Sequence, residues 1–243
     1  MSTQVNVNAI EPEGGTTTLT VGQTGQNTVI SADAVKVNTF KDSGGNTLFT
    51  SNGSGVLSSV NSGFGSSQVL ISSQTADDAA SLSFTSGIDS TYDEYIFEFY
   101  TVRGSIDQKD LGFQVNASGE TGYNETITST FFYAEHSESG SGGALSYSAG
   151  QDQAQGTGFQ SVGAGVGSSA DECLAGELHI FNPSSTTYVK NFYGVTQFYH
   201  GSNYSQQDFS AGYINITSAI TQVQFKFHDG NIADGTFKLW GVK

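Results

Sequence analysis

Val223, Phe225 and Phe227 alternate with Gln222, Gln224, Lys226 and His228, and Tyr95, Phe97 and Phe99 alternate with Ile96, Glu98 and Tyr100. A period of two sends successive side chains to opposite faces of an extended backbone, so these segments can bury a face only as strands. The second segment is apolar on nearly both faces, which suits a central strand covered on two sides. No stretch holds the 3.6-residue period of a helix for more than a turn or two. Residues 168–174 are the best helical candidate. The 31 glycines, with many Ser, Thr and Asn, supply turns between the strands. The 17 Phe and 11 Tyr exclude a disordered chain. The class is therefore all-β.

Charge removes whole classes of partner. Eight basic residues stand against 23 acidic ones, a formal charge of −15, and Arg103 is the one arginine. A surface that binds phosphates needs clustered Lys and Arg, so a nucleic-acid partner is excluded. Anionic membranes are disfavoured on the same ground. No apolar run is long enough to span a bilayer as a helix, so no membrane insertion is expected. The first residues, MSTQVNVN, carry neither the basic nor the apolar region of a secretory signal, which sets the expectation of cytoplasmic synthesis. On that footing the sequons at Asn52, Asn116, Asn124, Asn203 and Asn215 read as products of composition. The single cysteine, Cys173, permits no intramolecular disulfide.

The chain divides by composition into residues 1–67 and 68–243. In the first part, apolar residues come singly, in short alternating pieces such as Thr18–Val21 and Val35–Val37, broken by glycines. Such thin strands bury little area within one chain. This reading favours an extended β segment that anchors the protein and buries its apolar stripe against copies of itself, with a flexible linker as the other reading. The second part holds about eight to ten strands with turn signals between them, which fits a jelly-roll-like β-sandwich. Residues 137–169, rich in Gly, Ser, Gln and Ala, read as a long loop or as weak strands. Residues 186–199 read as one long strand.

Reactive constellations are sparse. His136, His179, His200 and His228 are far apart in sequence, and Cys173 has no partner thiol, so no metal or cofactor is expected. The segment from Asp229 to Asp234 loosely matches a calcium loop, but its spacing favours a plain turn. The pairs Asp93-Glu94 and Asp171-Glu172 supply carboxylates, yet neighbours in a strand face opposite ways. A Ser–His–Asp triad is left open, because its members are distant in sequence in any case. No catalytic residue is named. Tyrosines in polar surroundings, with Tyr123, Tyr147 and Tyr204 foremost, are candidates for stacking on a glycan or a protein. The plainer reading is that most aromatics fill the core or a subunit interface.

Residues 85–100 (TSGIDSTYDEYIFEFY), 178–193 (LHIFNPSSTTYVKNFY) and 235–242 (GTFKLWGV) resemble segments of β-rich virion proteins of tailed bacteriophages, especially marine and cyanobacterial ones. Residues 41–55 (KDSGGNTLFTSNGSG) resemble segments that precede such domains in fibre-like phage proteins. The resemblance implies a non-enzymatic structural protein located in the virion. Residues 1–67 would contact other virion proteins and self-associate as a homotrimer, and the outer domain would attach to a host-surface glycan or stabilise the particle. Capsid decoration is the near alternative. A carbohydrate-active tailspike enzyme or a lectin module is the alternative from another class.

Overall fold

The computed structural model describes residues 38–54, 57–60 and 67–243. The strands expected at Thr18–Val21 and Val35–Val37 lie outside the described residues. The chain divides into two units, residues 1–61 and 62–243. The described residues are strands, turns and connecting segments, with no helix among them.

The first unit contains an antiparallel sheet of β1 (Thr39–Lys41), β2 (Thr47–Ser51) and β3 (Leu57–Val60). The β1–β2 hairpin is set by Asp42, whose carboxylate accepts from the amides of Gly44 (2.9 Å) and Asn46 (2.8 Å) and from the Asn46 side chain. Gly45 takes the left-handed conformation this turn needs, φ +84°. Register aligns Phe40 with Phe49, and Phe49 with Val60. The two Phe rings stack at 5.3 Å. None of the side chains described in this sheet is buried; Phe40 is 47% exposed and Val60 43%.

The second unit has thirteen strands: β4 (Gln68–Ala79), β5 (Leu82–Phe84), β6 (Glu94–Gly104), β7 (Lys109–Ala117), β8 (Ile127–Ser137), β9 (Gly143–Tyr147), β10 (Ala154–Gly156), β11 (Gln160–Val166), β12 (Leu174–Phe181), β13 (Lys190–His200), β14 (Tyr204–Ile214), β15 (Ile220–Phe227) and β16 (Ile232–Val242). Eight of them form a jelly roll. One sheet runs β4-β16-β6-β12, and the facing sheet runs β5-β15-β7-β11. The other five are insertions. β8, β9 and β10 enter between β7 and β11, and β13 and β14 enter between β12 and β15. They widen the first sheet past β12 in the order β13-β14-β8, with β9 and β10 both paired to the far edge of β8. The layers join where Val166 of β11 pairs with His200 of β13.

The alternation read from the sequence sorts the faces as expected. Tyr95, Phe97 and Phe99 point inward with Phe84, Phe225 and Phe237, all at or below 1% exposure; Phe225 meets Phe84, Phe97 and Phe99 edge-on and Phe237 at a tilt. β6 is central, flanked by β16 and β12. The inserted strands bury a mixed inner face, with Gln206, Asp208, Ser210 and Ser129 beside Ile127, Phe131, Phe192 and Phe198. Lys190 is fully buried with no carboxylate partner among the described residues, its Nζ donating to the carbonyls of Tyr188, Ile216 and Ser218; burial pushes its pKa down.

Three expectations are corrected. Residues 168–174 are not helical: the Ser169 amide donates to the Glu172 carboxylate, and the Glu172 amide returns a bond to the Ser169 carbonyl, closing a single turn before β12. The long strand starts at Lys190 rather than at residue 186, because Asn182-Pro183 begins a turn in which the Ser185 hydroxyl accepts from the amides of Thr187 and Tyr188. Thirteen strands replace the expected eight to ten, since the insertions add five. Residues 137–169, read as a long loop or as weak strands, hold strands over about half their length, and β11 within them is among the most buried segments.

Candidate functional site

The widened sheet presents an outer face, and its chemistry follows from register. Glu98 of β6 lies directly opposite Lys238 of β16 on one side and Glu177 of β12 on the other. Cross-strand partners share a face, so Glu98 and Glu177 stand side by side. One oxygen of Glu98 accepts from the Tyr100 hydroxyl (2.6 Å) and from the Trp240 indole N–H (2.7 Å). A single carboxylate thus fixes the orientation of two aromatic side chains. The Glu98 carboxylate bonded to it raises the Tyr100 pKa above the ordinary phenol value. Lys238 Nζ covers the Tyr100 ring at 4.4 Å.

Next to this pair, His179 is buried between two carboxylates. Its Nδ1 bonds Glu94, its Nε2 lies 3.2 Å from Glu177 without hydrogen-bond geometry, and its ring stacks on Tyr193 at 4.3 Å. Burial, then the charges of Glu177 and Glu94, raises the Tyr193 pKa.

β12 carries only Ala175 and Gly176 beside Tyr100, and these small residues leave a groove. It has a volume of about 370 Å³, with Glu98, Tyr100 and Glu177 on one side and Val195, Gln197 and Gln207 on the other. A second groove of about 320 Å³ shares Ala175 and Gln197 with it and runs on to Cys173, Tyr199, Ser205 and Glu138. There the Tyr199 hydroxyl contacts Glu138 (2.9 Å) and Asn203 (3.0 Å), and the Glu138 carboxylate raises its pKa. The two grooves form one shallow trough with a carboxylate-bound tyrosine at each end.

On the inner side, a polar pocket of about 240 Å³ is lined by Asp110, Glu135, His200 and Gln206. Asp110 is committed to the Gly165 amide and the Ser161 hydroxyl, both at 3.0 Å. Among the described residues, no group of three His, Cys, Asp or Glu side chains is placed to hold a metal.

The three tyrosines singled out from sequence are not brought together. Tyr123 donates to Gln222 (2.9 Å) beside β15 of the facing sheet. Tyr147 is 58% exposed at the β9 edge and bonds Asp152. Tyr204 starts β14, opposite His200 and Ser137. The carboxylate pairs separate as well: Glu94 faces outward onto His179, and Glu172 closes the turn before β12. Asp229, in the turn after β15, pairs with Lys109 (3.3 Å), and Asp234, on β16, pairs with Arg103, so their carboxylates go to different cations. Glu98 and Glu177 were not legible as a pair, because only the pairing of β6 with β12 joins them. Tyr193 and Trp240 were legible only as aromatics in polar surroundings. No protein-family model, curated protein or solved structure matches this chain.

Proposed function

We propose that this chain is a non-enzymatic structural protein of a phage virion, fibre-like in organisation. The N-terminal segment anchors it to other virion proteins and holds three copies together. The jelly roll forms the outer domain, used for attachment to the host surface or for stabilising the particle. The observation that carries this reading is the β1–β3 sheet. Its Phe40 and Val60 side chains, 47% and 43% exposed, lie on a three-stranded sheet in which none of the described side chains is buried. A three-stranded sheet draws its stability from a hydrophobic face, and that face gains most when a second apolar layer takes it out of water. The same face on a second and third copy supplies that layer around a closed cyclic axis. The widened jelly-roll sheet adds support, because it offers a broad face rather than an enclosed cleft. The resemblance of residues 85–100, 178–193 and 235–242 to phage virion proteins supplies the particle setting.

Light scattering on the full chain tests the assembly. The expected mass is three times 25.5 kDa. A folded monomer at micromolar concentration would overturn the trimeric assembly.

A further inference from the structure

We infer that the trough along β12, between Tyr100 and Tyr199, is a binding site for an uncharged oligosaccharide. The inference deepens the attachment role proposed above and rests on it.

Shape comes first. The two grooves, about 370 and 320 Å³, share Ala175 and Gln197 and form one elongated depression rather than a round pocket. Each falls in the range of roughly 300–1,000 Å³ usual for small-ligand sites. A linear chain of rings fits such a trough better than a compact metabolite does.

Chemistry comes second. Sugar rings offer apolar C–H faces and a rim of hydroxyls, and they need amphipathic side chains with fixed polar groups beside them. Tyr100 is 40% exposed and is held in place by Glu98, which also holds Trp240. The Glu177 side chain is 46% exposed and adds carboxylate acceptors for hydroxyls. Gln197 and Gln207 bring amides that both donate and accept. Tyr199, bonded to Glu138, closes the far end.

Charge comes third. The trough has carboxylates at both ends on a chain of net charge −15, so polyuronates, sulfated glycans and sialylated glycans are repelled. A basic peptide would satisfy the charge, but it has no backbone to pair with. β12 is hydrogen-bonded to β6 on one side and β13 on the other, so it cannot accept an added strand.

The test is a titration of the full chain against hexasaccharides of uncharged hexoses, with a polyuronate hexasaccharide and a Lys-rich peptide as competitors. At least one uncharged hexasaccharide is expected to bind while the polyuronate does not. Tyr100→Ala and Gln197→Ala should each weaken binding at least tenfold, with circular dichroism unchanged. Tyr147→Ala, on the β9 edge, should leave it unchanged. The inference is overturned if no uncharged hexasaccharide binds, if binding survives both substitutions, or if the peptide displaces the sugar from a site that Tyr100→Ala does not affect. Hydrolysis of the bound sugar that disappears in Glu98→Gln would keep the trough as the sugar site and overturn the non-enzymatic reading instead. Sugar binding by a chain that is absent from virions would separate the two in the other direction.

Discussion

The Ala164 amide donates a 2.7 Å hydrogen bond to Oδ2 of Asp208, a residue with no exposed surface. The contact ties the inserted strand β14 to β11 of the facing sheet. Gln206 donates to the other oxygen at 2.8 Å, and among the described residues no cation pairs with Asp208. Burial, with Asp110 and Glu135 nearby adding repulsion, pushes the Asp208 pKa up to about 7. His200, lining the polar pocket with Ala164 and Gln206, is held below its ordinary value by burial.

That placement gives a pH dependence with a definite sign. In the unfolded chain Asp208 ionises near the ordinary 3.8; in the folded chain it stays protonated up to about pH 7. Its contribution to stability is therefore full below about pH 4 and is lost as the pH rises to 7. Above that, the fold carries a buried charge costing about 4 kcal/mol. Asp208→Asn cannot ionise and keeps an acceptor for the Ala164 amide. Thermal melts should show the variant more stable than the parent at pH 8.5, with the advantage gone or reversed at pH 4. Parallel melting curves from pH 4 to 8.5 would show that Asp208 does not titrate in this range.

The aromatic core is predicted to depend most on Phe225. Its ring contacts those of Phe84, Phe97, Phe99 and Phe237, joining both sheets. Phe225→Ala leaves a cavity at that junction and should cost about 3–5 kcal/mol, read by denaturant titration. A loss below 1 kcal/mol would mean that the two sheets do not pack through this ring.

Gly165 marks the tightest backbone approach at the seam between the layers. Its φ is +86°, and a Cβ there would sit 2.2 Å from His200 Nε2. Gly165→Ala combines left-handed strain with that clash and should cost about 1–3 kcal/mol. Gly150→Ala, where an added Cβ meets nothing within 4 Å, is the matching control and should be near neutral.

Self-association is predicted to run through the row on β1–β3. Replacing Phe40 and Val60 together by Ser removes two exposed apolar side chains from that row. The full-length variant should fall to monomer mass by light scattering while its circular dichroism keeps the β signal of the jelly roll. A variant that keeps the parental mass would place the contact elsewhere.

The fold was legible where strands alternate. The alternation around Tyr95–Phe99 and Val223–Phe227 gave both the class and the central position of β6. It failed at β11, where Gly163, Ala164 and Gly165 are small because neighbouring elements press on them. A Cβ on Gly163 would meet Leu174 at 2.3 Å. Close packing through small residues has the composition of a loop, and sequence alone does not separate the two. The candidate site was less legible still. Tyr100 and Trp240 are distant in sequence, and only the β6–β16 pairing brings both to Glu98. A list of surface tyrosines has no access to that convergence, so Tyr123, Tyr147 and Tyr204 stand apart in the structure.

The central claim is membership of a virion, and immunogold electron microscopy tests it most directly. Virions purified from an infected-host lysate would be labelled with an antibody raised against residues 68–243. The account predicts gold at a constant position on the particle surface, with the chain abundant in the particle proteome. Unlabelled particles that lack the chain by mass spectrometry would contradict it.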